Sequence, residues 1–134
     1  NMAKETIKNE LGEETSEKAQ KLIDDTDKQA KYLISEAKKK SQLIKENAAN
    51  ALEILNKETE KQAEAIIKEG KKNGYVGEMA AKEAVKQLKN EAAENGAEII
   101  EEANKNADRL IKDAEKAAEK LKKDAQSQAN NPGK

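Results

Sequence analysis

The chain has 134 residues, 26 basic and 27 acidic side chains, and a formal net charge of −1. Charged residues make up 40% of it and aromatic residues 1%, and Cys, His, Phe and Trp are absent. That composition excludes a core built from large side chains, a disulfide framework, the usual His- or Cys-based nucleophile pairs, His/Cys zinc sites and a strongly basic nucleic-acid surface.

The first segment, residues 1–13, carries only Ile7 and Leu11 as apolar anchors. Asn1 precedes Met2, which reads as a processed chain or a piece of a longer one. No targeting segment is visible, and no apolar run approaches the roughly 18 residues of a membrane-spanning helix.

From residue 14 onward a repeat sets the structure. Every eleventh residue from Leu11 is Leu or Ile, with Gly77 as the exception: Leu22, Leu33, Ile44, Leu55, Ile66, Leu88, Ile99, Leu110 and Leu121. The following residue is often Ile: Ile23, Ile34, Ile67, Ile100 and Ile111. Three residues before and four residues after each Leu or Ile stands a mostly small residue, such as Ala30 and Ala37 around Leu33. These four slots are a, d, e and h of an eleven-residue (hendecad) repeat. Eleven residues make about three helical turns, so the stripe stays almost straight or drifts toward a weak right-handed supercoil. Leu22, Ile23, Leu33, Ile34, Ile44, Leu55, Ile66, Ile67, Leu88, Ile99, Ile100, Leu110, Ile111 and Leu121 are the expected helix-packing interface, and Leu33, Leu55, Ile66, Leu88, Ile99 and Leu110 are expected to be the most buried in the functional assembly, whether hairpin or oligomer.

The remaining slots are charged or amide residues. Carboxylates often precede a lysine by four, as in Glu36–Lys40, Glu64–Lys68, Glu101–Lys105 and Asp108–Lys112. Each such pair supports an exposed helix by roughly 0.2–0.5 kcal/mol. High charge also suits disorder, but near-zero net charge and regular apolar spacing favour helix. Only Pro132 would break a helix, and it lies at the end.

The stretch "IIKEGKKNGYVGEM", residues 66–79, holds Gly70, Gly74 and Gly77. Lys71 and Lys72 suit a helix C-terminus, Asn73-Gly74 a left-handed cap, and Glu78 a new first turn. The expected organisation is a first long helix at 14–72, a turn at 73–77, a second long helix at 78–129 and a frayed tail at 130–134. The rival is one unbroken helix, because the glycines also fall in core slots and the frame continues through them. Arms of roughly 90 and 80 Å suit an antiparallel hairpin. The fold class is therefore all-α: a coiled-coil hairpin, alone or as part of an oligomer.

Residues 74–121, with "AAKEAVKQLKNEA" and repeated "A-x-x-I-I-x-E-A" units, resemble the alanine-rich helical tails of AsmA-like envelope proteins of Bacteroidetes. "EAIIKEGKK" and "AEIIEEANKNADRLIKDAEKAA" resemble peripheral-stalk subunits of rotary ATPases. The eleven-residue repeat of Ala, Lys and Glu is also similar to late-embryogenesis-abundant proteins. The first resemblance implies a cell-envelope or periplasmic setting, the second a stator-like role beside another helical subunit, and the third a desiccation-type or lipid-surface amphipathic protein. Residues and resemblances together give a non-enzymatic spacer, tether or assembly element. Its expected partner is a helical protein or a second copy, with no cofactor, metal, nucleic acid or small-molecule ligand.

Overall fold

A computed structural model describes the backbone of residues 2–130 and the side-chain surroundings of residues 16–130. Within those residues there is no strand. Helix α1 runs Met2–Lys72 and helix α2 runs Gly74–Asn130, and the two pack against each other as a hairpin. Neither helix is long and apolar enough to cross a membrane. Beyond Asn130, the expected frayed tail lies outside the described residues. So do the side chains of Ile7 and Leu11.

The turn is tighter than the spacing of glycines suggested. The expected five-residue turn at 73–77 is a single residue, Asn73, and α2 begins at Gly74 instead of Glu78. The backbone explains the difference. The Asn73 N–H donates to the Gly70 carbonyl oxygen at 3.1 Å, closing the last turn of α1. Gly74 then takes a positive φ of 77°, a left-handed conformation that costs a glycine nothing. Right-handed helix resumes at once. Glu78 therefore lies beyond the first turn of α2, which contains no acidic residue. Lys71 and Lys72 do sit in the last turn of α1, where unpaired carbonyls favour positive charge.

Gly70 and Gly77 serve a different purpose from Gly74. They lie within the helices on either side of the reversal, where the backbones come too close for a side chain. A Cβ at Gly77 would stand 2.6 Å from the Gly70 carbonyl oxygen. A Cβ at Gly70 would stand 2.8 Å from the Gly77 oxygen and run into the Ala81 methyl.

Contacts divide the chain into two compact units, residues 41–108 around the turn and residues 1–40 with 109–134. In the first, Ser41, Ala48, Thr59 and Ala63 of α1 and Ala81, Ala92, Gly96, Ala103 and Ala107 of α2 are buried. In the second, Thr26, Ala30 and Ala37 of α1 and Ala118 and Ala125 of α2 are buried. The buried hydroxyls need partners, and Thr59 Oγ1 donates to the Leu55 carbonyl oxygen one turn back at 2.7 Å. No described buried side-chain polar atom lacks a hydrogen bond.

Ion pairs lie on the outer faces. Glu101–Lys105 forms as its spacing predicts, at 3.2 Å. Glu36 turns to Lys39 instead of Lys40, at 3.5 Å. Lys89 and Glu60 join the two helices at 3.4 Å, a pair that spacing within one helix cannot reveal. Apart from the half-buried Glu36, these groups remain largely in water, where salt screens them and each contributes little. The melting temperature is accordingly expected to move by less than about 5 °C between about 0.1 and 1 M NaCl. A larger fall, followed by circular dichroism, would show that charge and not the small-residue seam holds the helices together.

Candidate helix-packing interface

The interface follows from the angular order of the four slots. Successive residues advance by about 100° around a helix. Slots a and h then lie within about 20° of each other at the middle of the stripe, while d and e flank them about 100° apart. The middle of the stripe faces the other helix most directly. A small side chain there lets the backbones approach, and the approach closes off the middle from water.

The burial pattern follows this order. Every buried residue among those described occupies an a or an h slot. Ala30 and Ala107 are 0% exposed and Ala118 is 2% exposed. The expected interface residues Leu22, Ile23, Ile34, Ile44, Leu55, Ile66, Ile67, Leu88, Ile99, Ile100, Leu110, Ile111 and Leu121 are half-buried. Leu33 is 37% exposed. The expectation that Leu33, Leu55, Ile66, Leu88, Ile99 and Leu110 lie deepest does not hold within this hairpin. Two helices form one contact seam, and d and e side chains reach past its edges with their outer sides wet. No large side chain is fully buried among the described residues. The alanines were visible in the sequence as small spacers; the angular order of the slots is the signal that marks them as the centre.

Several exposed apolar residues lie outside the seam. Leu43 is 56% and Ile54 58% exposed, each one residue before its d position. The pair Leu43-Ile44 thus resembles Leu22-Ile23 and Leu33-Ile34 in composition but is shifted by one place, which turns Leu43 outward. Tyr32 is 65% exposed.

Of the expected turn residues, Gly74 alone forms the reversal, while Gly70 and Gly77 face each other across it. Gly96 is a further close-approach position. A Cβ there would meet Leu52 Cδ1 at 2.6 Å.

No three His, Cys, Asp or Glu side chains gather as a metal site among the described residues. An open groove of about 560 Å³ runs beside Leu52, Asn56 and Ile100, with Glu53, Lys57, Glu60 and Lys61 along its edge. Asn56 fills an e slot there, and its short side chain leaves Ile100 partly uncovered on that flank. The groove is a gap in the flank of the seam. No family model, curated protein or solved structure matches this chain.

Half-burial sets the cost of truncation. Leu110→Ala is expected to destabilise by about 1–2 kcal/mol, less than the 2–5 kcal/mol typical of a dry core leucine. Lys112→Ala, on an exposed position, should stay within about 0.5 kcal/mol. Urea melts of both variants test the difference. A loss above about 3 kcal/mol at Leu110 would mean that its outer side is covered in solution.

Proposed function

We propose that this chain is a non-enzymatic structural module: a hendecad coiled-coil hairpin, straight or weakly right-handed, acting as a spacer, tether or assembly element. The observation that supports this reading is the seam. Buried side chains recur at eleven-residue intervals, as in Thr26, Ala37, Ala48 and Thr59 of α1 and Ala81, Ala92 and Ala103 of α2. That period keeps a contact stripe facing one direction along a long helix. The buried positions are given to continuous helix–helix contact.

One observation favours a second reading. The d and e residues stay half-exposed along both helices, an arrangement that a further helix could cover. This supports a stator-like subunit that completes its packing on a different helical protein. Self-sufficiency separates the two. The chain alone, at low micromolar concentration, should be helical by circular dichroism and melt cooperatively. A coil spectrum that becomes helical only with a helical partner would favour the stator reading. One that becomes helical only on drying would favour a desiccation-type protein.

A further inference from the structure

The turn is the place where this chain, otherwise sparing with large apolar residues, exposes three of them together. Tyr75 is 76%, Val76 79% and Met79 51% exposed, all in the first two turns of α2. Reversals are normally polar, and nothing in the turn requires these side chains: the reversal is made by Asn73 and Gly74, and the close approach by Gly70 and Gly77. At about 100° per residue, Tyr75, Val76 and Met79 share one face of α2, about opposite the face that bears the buried Ala81. They point away from the seam and add nothing to it. Single exposed apolar residues are ordinary; an adjacent cluster at the apex of a hairpin is a contact surface.

The charges around the cluster select the partner. Residues 66–89 carry six lysines, Lys68, Lys71, Lys72, Lys82, Lys86 and Lys89, against Glu69, Glu78 and Glu83. All six lysines are exposed. The chain as a whole is at −1, so this end is positive against a negative remainder. Glu69 pairs with Lys72 at 3.4 Å, Glu78 with Lys82 at 3.7 Å and Glu60 with Lys89 at 3.4 Å, which leaves Lys68, Lys71 and Lys86 against Glu83. Tyrosine suits the boundary between headgroups and acyl chains, with its ring in apolar surroundings and its hydroxyl in water. Lysines whose stems lie along apolar surface carry their ammonium groups to the headgroup layer. We infer that the apex of the hairpin, Tyr75, Val76 and Met79 with their surrounding lysines, docks on the surface of an anionic lipid bilayer. The helices do not cross the bilayer; the turn rests in its interface. This goes beyond the structural role proposed above by giving one end of the module an attachment, and it does not depend on what the seam pairs with.

The test uses the full chain and vesicles of phosphatidylcholine, either pure or with about one-quarter phosphatidylglycerol. Tyr32→Phe leaves Tyr75 as the sole tyrosine, so that brominated acyl chains quench its emission alone. The expected result is co-sedimentation with the anionic vesicles at low salt and at least about tenfold weaker binding at 0.5 M salt, because surface potential is screened. Quenching of Tyr75 should accompany it. The triple variant Tyr75→Ser, Val76→Ser, Met79→Ser should bind about tenfold or more weakly while keeping its circular dichroism and melting temperature, since these residues do not pack. If that variant misfolds, Lys82→Glu with Lys86→Glu gives the same loss by charge. The proposal is overturned by any of four results: no sedimentation with anionic vesicles at low salt, binding unchanged in the triple variant, sedimentation without quenching of Tyr75, or a concentration-dependent oligomer that the triple variant abolishes. The last would make the occupant a second copy of the chain. A failure of the hairpin reading would show separately, as loss of cooperative melting without any lipid.

Discussion

Ala107→Asp is expected to destabilise the residue 41–108 unit by about 3–5 kcal/mol. Ala107 is 0% exposed, at the centre of the seam. A carboxylate there has too short a stem to reach water, and no described lysine or arginine shares the buried part of the seam. Ala107→Leu separates volume from charge. It adds three carbons where the helices touch and should cost about 1–3 kcal/mol through separation of the backbones. Ala93→Asp is the control: Ala93 is exposed, and the change should cost no more than about 1 kcal/mol through helix propensity. Thermal and urea melts of the three variants decide the matter. Equal losses at Ala107 and Ala93 would mean that the seam lies on another face.

Gly70→Ala and Gly77→Ala should each cost about 1–3 kcal/mol, even though alanine is the better helix former by about 1 kcal/mol. The new methyl at either site meets backbone, at 2.8 Å from the Gly77 oxygen or 2.6 Å from the Gly70 oxygen, and backbone cannot rotate aside. Gly74→Ala differs in cause. There is open space around Gly74, but its φ of 77° is strained for any residue with a Cβ, by about 1–2 kcal/mol. Gly96→Ala should be the mildest. Its methyl meets the end of the Leu52 side chain, which can turn away, and the gain in helix propensity offsets the adjustment to within about 1 kcal/mol. Urea denaturation of the four variants gives the order directly. A stabilising Gly70→Ala would show that the two helices do not approach closely at the reversal.

Much of this architecture was legible in the sequence for a simple reason. Helix periodicity is a local property: spacing along the chain fixes which residues share a face, and Leu22, Leu33 and Leu55 could not share one in any other regular structure. The all-helical class follows from that spacing, with Pro132 confined to the end; the hairpin was favoured over an unbroken helix by the three glycines at 70, 74 and 77 and the capping residues beside them. The helix-stopping signals were local too. Lys71-Lys72 followed by Asn73-Gly74 carries both the charge preference and the positive φ that end a helix.

What only the tertiary structure decided depends on the distance between backbones. Glycine at 70, 74 and 77 looked like one loop. In the fold, one of them reverses the chain, and the other two let helices touch, because the reversal takes a single residue and brings their backbones together. The order of burial within the hairpin has the same cause. Size suggested that Leu and Ile would be buried first, but two helices drawn close by alanine cover only the middle of the stripe, so Ala30, Ala107 and Ala118 are deepest and the larger residues stay half wet. The outward placement of Tyr75, Val76 and Met79 also needed the turn: until α2 is known to start at Gly74, nothing in the composition of these residues tells whether they line the seam or leave it.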